Sequence, residues 1–366
     1  MSAWPLVRLG DIARPKQYPV LSRAEMTEAG YPVYGANGRI GFASTFTHTA
    51  PTILIGCRGS CGTVHITEPR SYANGNAMAL DKIDLRKFDL EFLYYFFASR
   101  GFSDVTTGSS QPQIIGQNLV RVEIPAPPLA EQRRIAAILD QADALRAKRR
   151  AALAQLAEMA QAIFVEMFGD PRANPLGWTM KSLGDLGDLE RGVSKHRPRN
   201  DPSLLDGPYP LIQTGDVANC DGYIRSYSST YSETGLRQSR MWPDGTLCIT
   251  IAANIGKTGI LTFKSCFPDS VVGFTPGGLV CTEYVQTWMA FIQRKLEEDA
   301  PQSAQKNINL AILRDLRIPC PPRQLQDTFV ARLRCVDRLK TSLREQSNKL
   351  DSLFASLQHR AFNGEL

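Results

Sequence analysis

The stretch Ile124-Pro125-Ala126-Pro127-Pro128-Leu129-Ala130-Glu131-Gln132 has a second copy 194 residues on: Ile318-Pro319-Cys320-Pro321-Pro322-Arg323-Gln324-Leu325-Gln326. Each copy ends a Pro-Pro pair and then runs for about forty residues without proline or glycine. Proline can precede a helix but cannot continue one. Each copy therefore marks the point where a mixed segment gives way to a long helix. Near the start of each half, Trp4-Pro5-Leu6-Val7-Arg8-Leu9-Gly10-Asp11-Ile12 returns as Trp178-Thr179-Met180-Lys181-Ser182-Leu183-Gly184-Asp185-Leu186, an offset of 174. Tyr31-Pro32-Val33 returns as Tyr209-Pro210-Leu211, an offset of 178. Ser110-Gln111-Pro112-Gln113-Ile114 returns as Ala304-Gln305-Lys306-Asn307-Ile308, and Phe168-Gly169 as Phe362-Asn363, both at 194. Order is kept and the offset only grows, as insertions into one copy of a duplication would give.

Each half has the same grammar: a long mixed segment, a Pro-Pro hinge, a long helix. The expected fold class is α+β, with globular units at 1–128 and 171–322 and helices at 129–170 and 323–366. Short β-like runs are expected at 52–55, 63–66, 120–124, 246–251 and 259–263, and short helices at 90–97 and 284–295. Apolar or small residues recur at spacings of 3 and 4 in the long helices. The first seam reads Ile135, Ile138, Ala142, Leu145, Ala152, Leu156, Met159 and Ile163; the second reads Val336, Leu339, Leu343, Leu350, Leu353 and Leu357. This is a coiled-coil seam, and each helix should be about 55–60 Å long.

The 366 residues are 43% hydrophobic and 21% charged, the mix of a chain that buries real cores and is not disordered. No run approaches 18 consecutive apolar residues and no basic-then-apolar leader opens the chain, so the expectation is a cytoplasmic protein with no membrane span. The net charge of +6 is spread thinly, so any nucleic-acid surface must be local. Eight scattered cysteines suit free thiols in a reducing compartment. Cys57, Cys61 and His65 lie on a strand and a glycine turn, and they lack the paired spacing of a zinc knuckle.

Signatures of catalysis are missing. Gly256-Lys257-Thr258 resembles the end of a P-loop, but the first glycine that loop needs is replaced by Ile251. Pro268-Asp269 has no Glu-x-Lys anywhere to complete a nuclease metal site. Asn174-Pro175-Leu176-Gly177 fails as the Asn-Pro-Pro-aromatic element of an amino-methyltransferase, and no glycine-rich cofactor loop is found.

Duplicated units, each ending in an Ile-Pro-x-Pro-Pro-x-x-x-Gln turn and a long helix, resemble the specificity subunit of type I restriction-modification systems. The resemblance covers essentially the whole chain, with Met167-Phe168-Gly169-Asp170-Pro171 and the tail from Leu357 to Leu366 among its signature stretches. It implies two target recognition domains, each reading one half of a bipartite, asymmetric DNA site through the major groove. It implies an antiparallel helix pair with pseudo-twofold symmetry that sets the gap and docks two methyltransferase subunits. It implies no catalysis by this chain, S-adenosylmethionine on those partners, and motor-nuclease subunits using ATP and Mg in the full complex, a host-defence assembly. The second hinge, Arg323-Gln324-Leu325-Gln326, departs from the Leu-x-Glu-Gln of the first, which puts its contacts in question. A coiled-coil scaffold that binds proteins rather than DNA is the alternative.

Base readout needs Arg, Lys, Asn, Gln or Ser on loops that reach a groove, and phosphate contacts need basic or small polar groups. The loop with Ser109, Ser110, Gln111 and Gln113 is the first candidate, with Gln302, Ser303, Gln305, Lys306 and Asn307 as its counterpart. The densest basic stretch is 191–199, which carries Lys195, Arg197 and Arg199 and no acid; Arg14 and Lys16 form its thinner equivalent. Glycine turns offer Arg58 and Ser60 in one half, and Asn254 and Lys257 in the other. Asn74, Asn76 and Gln213 complete the set, with turn formation the commoner use of such asparagines.

Overall fold

A computed structural model describes residues 4–108, 111–252, 254–298 and 308–366. The chain divides into two compact units, Met1–Ala152 with Leu343–Leu366, and Leu153–Ser342. The unit boundaries fall inside the two long helices, Leu129–Phe168 and Arg323–Asn363, so each helix gives one part to each unit.

The duplication is visible in strand register. In the first unit Arg14–Gln17, Ala77–Asp81, Ile53–Gly56 and Val64–Ile66 lie side by side in that order. In the second the order is Gly187–Arg191, Val271–Pro276, Leu247–Thr250, Thr258–Leu261, with Tyr223–Ile224 added in parallel at the edge. Leu54 stands opposite His65 and Ala79; 194 residues on, Cys248 stands opposite Gly259 and Gly273. Lys16 faces Ala79 and Glu190 faces Gly273, so the first strand keeps the smaller offset of 174. The extra residues of the second unit therefore lie between its first strand and Leu247, the region that holds the added edge strand.

The repeated end motifs are partners. Leu6–Arg8 pairs antiparallel with Glu123–Pro125, with Val7 opposite Ile124. Met180–Ser182 pairs in the same way with Arg317–Pro319, with Lys181 opposite Ile318. Each domain is thus closed by its own first and last strands, and the chain enters the long helix from that closure. The strand expected at 120–124 is corrected in part: Gly116–Leu119 is a helical turn, and pairing begins only at Glu123.

At each hinge a buried glutamine fastens the helix to the domain. Gln132, 1% exposed, accepts the Asp89 N–H at 2.8 Å and donates to the carbonyls of Lys87 and Pro127, both at 2.9 Å. Gln326, fully buried, accepts the Cys281 N–H at 2.9 Å and donates to Leu279 and Pro321 carbonyls at 3.0 and 2.8 Å. The contacts of the second hinge therefore match those of the first. Where Glu131 pairs with Arg134 at the surface, Leu325 instead packs on the second core.

Within each unit the two long helices run antiparallel. In the first, Arg134 donates to the Leu366 carbonyl at 2.7 Å, and Arg146 reaches Asp351 at 2.6 Å while covering the Phe354 ring. In the second, Arg332 reaches Glu166 at 3.2 Å. The repeated phenylalanines also correspond: Phe362 packs edge-on to Phe92 in the first unit, and Phe168 edge-on to Tyr284 in the second. The expected seam is corrected at four positions. Leu145, Met159, Leu339 and Leu353 are exposed. The residue one place on turns inward instead: Arg146, Ala160, Lys340 and Phe354. Two of these are charged, and pairing with Asp351 and Asp221 lets them occupy seam positions.

The first long helix is long and apolar enough, by composition, to cross a membrane: an 18-residue window reaches a mean hydropathy of 1.2. Counting consecutive apolar residues missed this because Gln155, Glu158, Gln161 and Glu166 interrupt the run. In the structure the same helix embeds Ile135 and Leu139 in one core and Phe164 and Phe168 in the other.

Gln132→Leu should leave one N–H and two carbonyls without partners in a buried site. An orphaned buried group costs about 1–3 kcal/mol, so urea unfolding should show the first unit losing about 2–4 kcal/mol. Gln326→Leu should do the same to the second unit. A loss below about 0.5 kcal/mol in either variant would show that the glutamine does not hold the hinge.

Candidate nucleic-acid interface

The antiparallel order of each sheet brings three chain segments to one end: the exit of the first strand, the exit of the Ile53–Gly56 or Leu247–Thr250 strand, and the entry of the strand between them. At that end both units build the same tight turn. Gly62 N–H donates to Gly56 O at 2.9 Å, and Gly256 N–H donates to Thr250 O at 2.9 Å. Gly62 and Gly256 have φ of 84° and 73°, a conformation that favours glycine. A further repeated bond docks the next segment: Ile114 N–H on Cys57 O at 3.1 Å, and Ile308 N–H on Ile251 O at 3.0 Å.

In the first unit this end collects Arg58, Ser60, Asn76, Gln111 and Gln113. Arg58 bridges to Gln113, and the Asn76 carbonyl accepts the N–H groups of Cys57 and Arg58 at 2.9 and 3.2 Å. The side chains of Arg58, Asn76, Gln111 and Gln113 are exposed. Asn74 is placed otherwise: it is 3% exposed, so its amide offers no edge to a ligand outside, and its backbone carbonyl accepts the Ala77 N–H at 2.9 Å in the turn. Arg14 is also turned away; it donates to the carbonyls of Gly10 and Ala13 behind it. Lys16 lies over the Tyr18 ring at 4.4 Å. Tyr18 in turn donates to Asp81, whose other oxygen is 2.9 Å from His48. Burial, and then this bond, push the Tyr18 hydroxyl up to about 12. Thr47 sits 2.7 Å from the other ring nitrogen of His48, but its hydroxyl also accepts the Ala73 N–H at 2.9 Å. The line of side chains braces two strands and leaves no free nucleophile. Cys57 is buried beside Gln17, and its thiol is raised by burial; Cys61 turns to the carbonyls of Cys57 and Pro112, and His65 to that of Ala36.

In the second unit the same end carries Lys195, Arg197, Arg199, Asn254 and Lys257. The basic stretch does not stand alone, as its sequence implied. Asp269, from the strand entry, lies between the two arginines: Arg197 reaches Oδ2 at 3.3 Å, and Arg199 bonds Oδ1. Arg197 is further held by the carbonyls of Ser194 at 2.6 Å and His196 at 2.8 Å. Gln238 accepts the N–H groups of Lys195 and His196 at 2.6 and 3.1 Å, fixing the loop from beneath. Buried polar groups normally have partners; here Ser194 Oγ and Gln238 Nε2 are buried without one among the described residues. Asp201 is lowered, chiefly by bonds from the Ser203 side chain and backbone and then by His196. Lys257 lies 3.4 Å from Gln293 on the neighbouring helix, and Thr258 opens a strand rather than the helix a P-loop requires. Gln213 is a helix cap: its backbone N–H donates to Asp216 Oδ2, three residues on, at 2.7 Å. Ser109, Ser110, Gln302, Ser303, Gln305, Lys306 and Asn307 lie outside the described residues. Sequence reasoning missed the pairing of Asp269 with these arginines because it is 70 residues from Arg199, and only strand pairing brings the two together.

Among the described residues no group of three His, Cys, Asp or Glu side chains is placed to hold a metal ion. The arrangement is instead that of a polar, partly basic surface built twice on one scaffold.

Comparison with known proteins agrees with this architecture. A specificity subunit of the type I restriction enzyme MjaIX from Methanocaldococcus jannaschii is 31% identical over 210 residues, covering 52% of this chain and 47% of that protein. The chain therefore spans about half the length of that relative. The EcoBI specificity subunit of Escherichia coli is 21% identical over 399 residues, covering 99% of this chain and 80% of that one. Among solved structures, the S subunit of a type I restriction-modification system from M. genitalium superposes with a TM-score of 0.62 at 18% identity, covering 99% and 96% of the two chains. A chain from a study of assembly and conformational transition in the type I system gives 0.60 at 18%, with 99% and 98% covered. The profile of the family described as type I restriction modification DNA specificity domain matches residues 1–155 and again 175–351, and by those two matches the chain belongs to that family.

Proposed function

We propose that the chain is a DNA-recognition subunit of a type I restriction-modification enzyme. Each unit reads one half of a bipartite, asymmetric site through the major groove. The long helices set the gap and dock two methyltransferase subunits that use S-adenosylmethionine. Motor-nuclease subunits using ATP and Mg join in the full complex. The observation that carries this reading is the repeated sheet end. Two sheets that share the register of their four common strands present turns of different sequence, Arg58-Gly59-Ser60 in one and Asn254-Ile255-Gly256-Lys257 in the other. A constant frame with variable tips is what reading two different half-sites requires. Exposed leucines on the helices, Leu145 and Leu353 in the first unit and Leu339 in the second, offer apolar surface for docked subunits. Nothing in the fold or the family match favours a scaffold that avoids DNA.

The chain itself supplies recognition and no chemistry. The P-loop, nuclease and methyltransferase motifs are absent from the sequence, and the Thr47–His48–Asp81 line is a brace. Selection of mixed-sequence DNA by the chain purified with its methyltransferase partner, followed by sequencing, should yield two short motifs at a fixed gap. Uniform retention of all sequences would overturn the reading. Exchange of residues 1–128 for the matching unit of a relative should change one of the two motifs and leave the other. Loss of both together would show that the units do not read independently. Radiolabelled methyl transfer should need the partner subunit, and transfer by the chain alone would refute the assignment of chemistry to that partner.

A further inference from the structure

We propose that Asp269 is an intramolecular competitor for a phosphodiester-binding site formed by Arg197 and Arg199. The proposal rests on the DNA-binding reading above and deepens it. One carboxylate serves two guanidinium groups, one oxygen to each. A carboxylate and a phosphate present the same pair of acceptor oxygens to arginine, so Asp269 occupies the position that a backbone phosphate would take. Arg197 is held in place without Asp269, through the carbonyls of Ser194 and His196, so its outer nitrogen stays aimed at that position when the acid is removed. The loop beneath is fixed by Gln238, and buried Ser194, 6% exposed, keeps an unpartnered hydroxyl there. All three charged side chains are partly exposed, at 54%, 45% and 36%, so a duplex can reach them.

The duplication supplies an internal comparison. Gly56 faces Ala77 and Thr250 faces Val271, so the place of Asp269 in the first unit is taken by Gly75. There the carbonyl of that glycine accepts a bond from Gln17, and no carboxylate stands at that position. The acid occurs in the unit that carries the dense basic loop and not in the other. Its effect is to weaken attachment to any duplex, whatever its sequence, because phosphate contacts carry no base information. Tight non-specific binding would strand the subunit on the excess of non-target DNA.

Asp269→Asn in the full chain should free two cations for phosphate. Binding to a mixed-sequence 30-base-pair duplex should tighten roughly three- to ten-fold at low salt, and the slope of log affinity against log salt should steepen by about 1.8. Asp269→Ser should behave alike, and Arg197→Ala with Arg199→Ala in the Asp269→Asn background should cancel the gain. Asp315→Asn, which removes one negative charge elsewhere in the unit, should leave the slope within about 0.3 of the parent. An Asp269→Asn protein with the parent's melting temperature but unchanged or weaker binding would overturn the proposal. Failure of the parent chain, purified with its methyltransferase partner, to bind any duplex at low salt would instead overturn the DNA reading itself, so the two failures are distinguishable.

Discussion

The rest of the architecture depends on two buried carboxamides. A domain that ends in a Pro-Pro pair has no backbone donor at those residues with which to grip the helix that follows. Gln132 and Gln326 supply the grip: each accepts one N–H and donates to two carbonyls, so the side chain uses three of its four bonding positions inside the core. Asparagine is too short to span these partners, and glutamate cannot donate to the two carbonyls. The carboxamide also faces the segment just before the short helix of each unit, Leu90–Ser99 or Thr282–Glu298, and so ties three elements together at one point. With the domain's first and last strands paired beside it, the direction in which the long helix leaves is determined.

The same constraint explains why the duplication is legible in some places and hidden in others. The Ile-Pro-x-Pro-Pro block and the Trp-bearing block stay similar where they are buried: Leu9 and Leu183, and Ile124 and Ile318, lie fully inside their cores, while the change from Val7 to Lys181 leaves the strand pair intact. The sheet between them keeps its register but not its sequence. Cys248 takes the place of Leu54, and Gly273 that of Ala79, since a buried strand asks only for residues that fit. For that reason the motifs announced two like units and two long helices, but not the strands Arg14–Gln17 or Ala77–Asp81, which carry little alternation.

The helix seam and the candidate surface were harder to read for a related reason. Leucines at the expected spacing mark a plausible stripe, yet the inward positions at Arg146 and Lys340 are charged, and pattern reading assigns charges to solvent. Both are accommodated by partners distant in sequence, Asp351 and Asp221. Asp269 beside Arg197 and Arg199 is the same case on the surface: local sequence showed four basic residues and no acid, while the fold supplied the acid. Conversely, Asn74 and Gln213 were chosen as polar residues near turns; the structure buries Asn74 and sets Gln213 at the start of a helix. Single-sequence reading finds residues able to touch a ligand. Which of them are already occupied depends on non-local pairing.

Arg146 and Lys340 also show how one ancestral position can be put to two uses. They lie 194 residues apart, as do Asp143 and Asp337 one turn before them. In the first unit Arg146 pairs with Asp143 on its own helix and with Asp351 on the other, so the charges hold the helix pair together. In the second, Lys340 turns to Asp221 and Asp337 to Arg225, both in the stretch that the second unit has gained. Lys340 is only 10% exposed, so its pair with Asp221 is shielded from salt more than an ordinary surface bridge. The added segment thus did not need new positions on the helix. It supplied an acid and a base to a pair already spaced to meet them, and Tyr223–Ile224 then extended the sheet alongside. Insertions of this kind alter what a unit presents at its edge while the hinge glutamine, the closing strands and the helix stay as they were.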